Sequence, residues 1–393
     1  MVKDRRVLRI EGQLGPLQGK PAQEIEVRPL TIFIGKQGVG KSLVAQVLYF
    51  FENLAYLSKY MHAKKGGAPR TIIRRILDNL RGVERPFTAF VPKALNVTWD
   101  DKDVELAFHK TRTKRIIVPS PELENLVKTY LNPEYTIPRH GSALFVPAER
   151  IMYAHGTPNA WNLLSLPLTM SLFVEVMEEI GKRYDVLQDS PFSRAIDEIG
   201  FKMLKGRVRR WRSGWKWEID SQKLFNVDMI SAGQKANWPI LVLARALPVW
   251  REENDIGSPF SLYVEEPESH LHPEAQVQMV HLLALLVRQG FRVVITTHSL
   301  TILYALNNLV LASRLGEQPV DGVPAPEVRL KPAMVSAYLF DERGHVSSLL
   351  DEQQGFIEET ALAAIDAELS AEMNRIMHAM SQLETDDAAV ESM

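Results

Sequence analysis

The stretch Thr31-Ile32-Phe33-Ile34-Gly35-Lys36-Gln37-Gly38-Val39-Gly40-Lys41-Ser42 decides the fold. Its glycines, lysine and serine fall at the spacing G-x-x-x-x-G-K-[ST] of a phosphate-binding loop. The flanks fit as well. Pro29 to Ile34 is a short apolar, β-branched run of the kind a buried strand uses, and Ser42 to Phe51 is apolar at helical spacing. Gly35, Gly38 and Gly40 let the backbone turn so that successive N–H groups face one concavity, to which the helix N-terminus adds partial positive charge. Lys41 is placed to reach β- and γ-phosphates, and the Ser42 hydroxyl to ligate Mg2+. Gln37, Val39 and Leu43 complete the expected nucleotide contacts of this loop.

The chain has 393 residues, 46% hydrophobic and 24% charged, the mass of one large α/β domain with insertions or of two domains. It has no cysteine, which excludes a disulfide framework and thiolate chemistry and suits a reducing, cytoplasmic setting. A formal net charge of −2 gives no global field toward nucleic acid, so any such contact needs a local patch. MVKDRRVLRIEGQ lacks the apolar core of a signal peptide, and no uncharged apolar run of about 18 residues predicts a membrane span.

Strands are expected at Val7–Glu11 and Glu24–Val27, then the phosphate loop and a helix running through Lys59. His62–Arg70 reads as a loop, Thr71–Leu80 as a helix, Leu95–Asp100 and Val104–Lys110 as a hairpin, and Ile116–Val118 as a third strand. A helix at Glu122–Leu131 and a buried strand at Ser142–Val146 follow. Helices at Leu163–Tyr184 and Pro191–Leu204, with strands in Gly206–Ile219 and Leu224–Ile230, read as a helical lid with a β-meander. Then come a helix Ser231–Trp250, a strand Ser261–Val264, a helix Pro273–Gln289, a strand Phe291–Thr296 and a helix Leu300–Leu315. A hairpin at Val335–Asp341 and His345–Leu350 precedes a helical tail, Gln354–Met380. Strands alternating with helices imply a mostly parallel sheet. The expected fold class is α/β, a P-loop NTPase sheet flanked by helices, with an antiparallel N-terminal part. The expected division is residues 1–150 for the N-terminal ATPase lobe and 151–230 for the lid. Residues 231–350 form the C-terminal lobe and 351–393 the tail.

Glu265 and Glu266 follow the strand Ser261–Val264, at the edge where a doubly wound sheet binds its ligand. Glu265 suits the Mg2+ shell through water, and Glu266 suits orienting an attacking water. A solvated acidic turn is the other reading of the pair. His298, 32 residues after Glu266, ends the next strand, where an imidazole can meet a γ-phosphate or that water. Ser231-Ala232-Gly233-Gln234-Lys235 opens a helix. Its small residues and hydroxyl suit an anion held by another subunit, and equally suit plain capping by Ser231.

In this order, phosphate loop, SAGQK, EEPE and TTHS, the chain resembles ATP-binding-cassette ATPases of the SMC, RecF and OLD kind. The resemblance implies ATP with Mg2+ sandwiched between two copies of the chain. Ser231, Ala232, Gly233 and Gln234 serve as signature motif, Glu265 and Glu266 as the Walker B pair, and His298 as the switch histidine. Leu271-His272-Pro273 after EEPE, and Pro147-Ala148-Glu149-Arg150, resemble the stand-alone prokaryotic AAA/ABC-like ATPases. Many of those sit in phage-defence loci beside a nuclease or another toxic effector. The implied role is a sensor or scaffold that controls a separate effector. The alternative is a RecF/SMC-like ATPase that clamps DNA in repair or chromosome maintenance. The roughly 40 residues after Leu350 are too few for the added nuclease domain of the OLD kind. Three departures stand out: Glu265 replaces the usual Asp, Lys36-Gln37 replaces Pro-Asn, and the Q-loop glutamine has only Gln188 as a default.

Arg207, Arg209, Arg210, Arg212 and Lys216 interleave with Trp211, Trp215 and Trp217, which suits either nucleic acid or tryptophans packed on the lid. Arg74 and Arg75 read as a solvated helix face. His270 and His272 lack a third ligand at metal spacing.

Overall fold

The computed structural model describes residues 6–80, 87–91, 94–99, 104–110, 115–138, 141–155, 166–184, 190–212, 214–220, 223–253, 260–351 and 356–357. The phosphate-loop strand, β3 (Leu30–Ile34), is buried at every residue, as its composition demands. It lies third in a six-stranded sheet of order β14 (Val346–Ser348), β13 (Val335–Phe340), β3, β12 (Arg292–Thr297), β11 (Ser261–Glu265), β7 (Ala143–Val146). The five strands β13, β3, β12, β11 and β7 run parallel, and β14 pairs antiparallel at the edge. The C-terminal ends of β3, β7, β11 and β12 thus meet along one sheet edge.

Because both faces are covered, the central strands β3, β12, β11 and β7 are buried at every position and mostly apolar rather than alternating. The period-2 geometry still sorts their side chains. Leu30, Ile32, Ile34, Leu262, Val264, Val293 and Ile295 enter one core, while Phe33, Tyr263 and Val294 enter the other. The first core holds the short helix α5 (Met152–His155) and the helices α6 (Leu168–Arg183), α7 (Pro191–Leu204), α8 (Ala232–Glu253), α9 (Pro273–Arg288) and α10 (Leu300–Ala312). The second holds α1 (Lys41–Glu52), α2 (Leu54–Lys65) and α3 (Pro69–Leu80). It also takes in α4 (Pro121–Leu131) and part of a five-stranded antiparallel sheet. That sheet has the order β2 (Gln23–Val27), β1 (Arg6–Gly12), β4 (Leu95–Trp99), β5 (Val104–Lys110), β6 (Arg115–Pro119). The meander expected in the insertion is β8 (Arg207–Trp211), β9 (Gly214–Asp220) and β10 (Lys223–Asn226). Among the described residues no helix is long and apolar enough to cross a membrane.

Several boundaries differ from expectation. The helix after the phosphate loop does not run through Lys59. It breaks at Asn53, which leaves helical geometry and uses its side chain elsewhere. Asn53 Oδ1 accepts from Ser142 N at 3.1 Å, and Nδ2 donates to Tyr49 Oη at 3.1 Å. A polar side-chain contact overrides helix continuation at a residue type prone to it. The His62–Arg70 loop shrinks, because α2 continues to Lys65 and α3 starts at Pro69, a favoured first-turn residue. The strand expected through Ile230 stops at Asn226 in a turn. Phe356–Ile357, expected in a helical tail, pairs instead as a strand, β16, with β15 (Leu350–Asp351). The remainder of that tail, Gln188, and residues 163–165 lie outside the described residues.

Under the sheet, Glu52 sits 3.1 Å from Arg6 and 3.6 Å from Arg292, and all three side chains are buried or nearly so. Removing one partner of a buried pair strands the other charge. Glu52→Ala should therefore lower unfolding free energy by about 3–5 kcal/mol, read from the urea midpoint. A change within experimental error would mean that these arginines are satisfied without Glu52.

Candidate functional site

The sheet edge opens into a cleft of about 510 Å3. The phosphate loop supplies one wall: Gln37, Gly38, Gly40, Lys41, Ser42 and Leu43 all line it. Gly40 caps α1 at φ 103°, and a Cβ there would meet Leu17 and Pro16. At Gly35 (φ 149°) a Cβ would lie 2.3 Å from the Phe340 carbonyl oxygen, so β13 leaves room only for glycine. Val39 is buried in the second core instead of facing the cleft. Gly35 serves from behind: Lys41 Nζ donates to the carbonyls of Gly35 and Lys36, both at 2.7 Å.

The opposite wall comes from three strand ends. Glu265 and Glu266 after β11, His298 after β12, and Ala148 and Glu149 after β7 all line the cleft. Glu265 is buried, and its Oε2 accepts from Ala148 N at 3.2 Å. Glu266 stands at φ 44°, a left-handed conformation that such a side chain adopts only under local constraint. Its N–H donates to Thr296 O at 2.8 Å, and Ser269 Oγ lies 3.3 Å from its Oε2. His298 spans the cleft floor, with Nδ1 3.4 Å from Lys41 Nζ and Nε2 3.3 Å from Glu266 Oε1. The ring thus lies between an ammonium on one side and a carboxylate on the other.

Burial pulls the Lys41 ammonium down to about 8, against the opposing pull of the Glu266 and Glu268 carboxylates. The group is therefore a partly desolvated ammonium at the cleft wall, resting on two loop carbonyls. That is an environment for a polyphosphate.

Arg150 was visible in the sequence only as part of Pro147–Arg150, with no role. It is fully buried. Its Nε donates to Ala236 O at 2.8 Å, one terminal nitrogen to Glu265 O at 2.6 Å and Pro147 O at 3.3 Å. The other donates to Glu266 O at 2.9 Å and Asn237 Oδ1 at 3.4 Å. Burial brings its pKa down to about 10, and the carboxylates of Glu268, Glu266, Glu265 and Glu149 oppose the shift. Gln46, Phe90 and Thr169 also line the cleft and carried no sequence signal. Gln188, the default candidate for the Q-loop glutamine, lies outside the described residues.

Ser231–Gln234 do not line this cleft. They form a reciprocal cap at the start of α8: Ser231 N donates to Gln234 Oε1 at 3.0 Å, and Gln234 N to Ser231 Oγ at 3.3 Å. Ser231 and Ala232 remain exposed. Gly233 abuts the loop after β11, where a Cβ would come 2.5 Å from His270 O. Among the described residues no cluster of three or more His, Asp or Glu could hold a metal. The tryptophan string divides. Trp217 is buried, Trp215 donates to Tyr153 Oη at 3.2 Å and packs on Tyr184 and Trp238, and Trp211 is exposed.

The model of the AAA ATPase domain matches residues 240–303, from α8 through Glu265, Glu266 and His298. No curated protein matches the chain. Among solved structures, similarity is found to an SMC head bound to the C-terminal winged-helix domain of ScpA. That match has 13% identity, covers 89% of this chain and 98% of that one, and has a TM-score of 0.48. The SMC head domain from Thermotoga maritima matches at 12% identity, 88% and 99% coverage and TM-score 0.39. An Smc head with an extended coiled coil, bound to the C-terminal domain of ScpA and derived from Pyrococcus furiosus, matches at 12% identity. Its coverages are 92% and 98%, with TM-score 0.44.

The Lys41 environment generates a pH test. Free Lys41 is partly neutral near pH 8, and a bound triphosphate would hold it protonated, so ATP binding there should take up protons and weaken as pH rises further. Calorimetry at pH 8 in buffers of different ionisation enthalpy should show this uptake in the parent and less of it in Lys41→Ala. Equal uptake in both would remove Lys41 as the proton acceptor.

Proposed function

We infer that the protein is a P-loop ATPase that closes ATP between two copies of itself and hydrolyses it. The observation that carries this reading is the convergence of Lys41, Glu265, Glu266 and His298 on one cleft at the sheet edge. Lys41 meets the β- and γ-phosphates, exchanging its two carbonyl contacts for phosphate oxygens. Glu266 orients the attacking water and accepts its proton, and His298 steadies both that carboxylate and the γ-phosphate. The donor set fits Mg2+: Ser42 and Glu265 both line the cleft and offer a hydroxyl and a carboxylate, the oxygen ligands such an ion takes beside phosphate and water. Bound there, Mg2+ neutralises phosphate charge. The start of α8, Ser231–Gln234, which does not line its own cleft, is offered to the γ-phosphate of the other copy.

Glu266→Gln keeps the bulk and hydrogen bonding of the side chain while removing its basicity. It should bind ATP, hydrolyse at least about 100-fold more slowly, and double in molar mass with Mg-ATP in light scattering. Parent-like hydrolysis would sink the assignment of the base. A monomer with ATP bound would sink the sandwich.

Two uses of such a cycle compete, control of a separate effector in phage defence and direct clamping of nucleic acid. A specific observation favours the second. From Lys202 to Lys223 eight Lys and Arg stand against two acids, in a chain whose net charge is −2. Arg207, Arg209, Trp211 and Arg212 are exposed on this sheet. Phosphate contact with stacking is the corresponding chemistry. Arg207→Glu with Arg212→Glu should weaken binding to a DNA duplex by about tenfold or more. The same pair should flatten the slope of log affinity against log salt by about one for each phosphate that is no longer neutralised. Unchanged affinity, or a co-purifying nuclease with no DNA binding, would favour effector control.

A further inference from the structure

The loop after β11 carries a third acid, Glu268, to which the ATPase reading gives no task. Its Oε1 accepts two hydrogen bonds, from Thr297 Oγ1 and from the His298 backbone N–H, both at 2.7 Å. Thr297 Oγ1 in turn accepts from Ser299 N at 3.0 Å. One carboxylate oxygen therefore closes the turn that follows β12 from inside. A separate tie joins that turn to α9, where Ser299 Oγ lies 2.5 Å from Gln276 Oε1. Charge-assisted bonds to an ionised acceptor are among the stronger hydrogen bonds.

The His298 ring itself is held loosely. Residue 298 is exposed, and its two ring contacts, to Lys41 and Glu266, are long at 3.4 and 3.3 Å. Ring contacts of that length do not set a direction. What fixes the origin of the side chain is the backbone, and the backbone is fixed by Glu268. The other oxygen, Oε2, is buried and has no hydrogen bond among the described residues. The carboxylate is thus committed to the turn through Oε1.

We propose that Glu268 is a positioning residue for hydrolysis: it locks the Thr297–Ser299 turn so that the His298 imidazole lies between Lys41 and Glu266. This rests on the ATPase reading for its kinetic consequence, though the positioning of the ring can be seen without it. Glu268 also faces Lys41 electrostatically, so charge and hydrogen bonding must be separated. Glu268→Gln keeps a carbonyl oxygen able to accept both bonds and removes the charge. Glu268→Asp keeps the charge on an arm too short to reach.

The test is ATP turnover and nucleotide affinity of Glu268→Ala, Asp and Gln, each with a melting curve, and each also built on His298→Ala. The expected result is a kcat lower by about 10- to 100-fold for Ala and Asp, the scale of a catalytic group misplaced by about an ångström. Affinity should move less than about threefold, and Gln should stay near the parent. In the His298→Ala background the Ala and Asp changes should have almost no further effect, because the group they position is gone. Histidine ring resonances of 15N-labelled protein supply a readout free of turnover. The His298 signals, found by their loss in His298→Ala, should shift in Ala and Asp and stay in place in Gln. If Gln is as damaged as Ala, or the losses multiply in the His298→Ala background, or the ring signals do not respond to Asp, the proposal is overturned. A parent that hydrolyses no ATP would defeat the ATPase reading alone, and the resonances would still decide whether Glu268 places His298.

Discussion

The buried guanidinium of Arg150 is the constraint on which the site depends. Its bonds reach the turn after β7, the end of β11 and the first turns of α8, segments contributed by residues 147, 236, 237, 265 and 266. Every one of those acceptors is neutral. The guanidinium thus takes hold of the backbones of Glu265 and Glu266 and leaves their carboxylates to the cleft. A lysine could not do this, because a single ammonium cannot address acceptors that diverge over so wide a fork. The charge is stabilised at longer range by four acids, and it stays protonated well above neutrality even with its pKa brought down by burial. A buried cation with satisfied donors and acids near it differs from a buried ion pair. It holds acidic residues together without neutralising any of them by contact.

That arrangement sets up the electrostatics of the opposite wall. Glu265, Glu266 and Glu268 stand together at the end of one strand, and the cations that act on them are Arg150 behind and Lys41 across the cleft. Burial works against Lys41 while the acids work for it, which leaves its pKa at about 8. An anionic phosphate placed between Lys41 and the acids would favour the lysine and disfavour the carboxylates. Were ATP bound there, Mg2+ would supply the countercharge that eases its repulsion from the carboxylates.

How much of this was legible in the sequence follows from how local each feature is. The phosphate loop was legible because its strand, glycines and helix are contiguous, although the helix ends at Glu52 rather than running through Lys59 and Val39 turns into the core. Glu265, Glu266 and His298 were legible because each ends an apolar strand, and parallel strands bring their ends to one edge. Arg150 was not, since its five acceptors come from stretches up to 116 residues apart. Glu268 was quoted in a motif, but its task depends on a turn 30 residues later. The break at Asn53 escaped for the same reason, because Ser142 decides it from 89 residues away. Apolar periodicity reports which face is buried, and says nothing of which polar side chain a distant backbone group will claim. Ser231 to Gln234 shows the converse. The capping box is as local as a motif can be, and the local reading, a helix cap, is what the single chain displays.

The cap and the site are nevertheless joined. Gly233 packs on the carbonyl of His270, and Asn237 Nδ2 bridges Gly233 O at 2.9 Å and Ser269 O at 3.0 Å. Ser269 bonds the carboxylate of Glu266, and Glu268 bonds the turn bearing His298. His270 itself sits at φ 62°, a conformation that the loop must be made to hold. The loop after β11 is thus clamped between the start of α8 on one side and the His298 turn on the other. Any load applied to the exposed start of α8 falls on the segment that orients Glu266. If a second copy presents its phosphate to Ser231, the docking of that copy is mechanically the same event as the alignment of this copy's base. Hydrolysis in the two clefts would then be coupled through rigid, bonded contacts in each chain, with no need for a large domain motion.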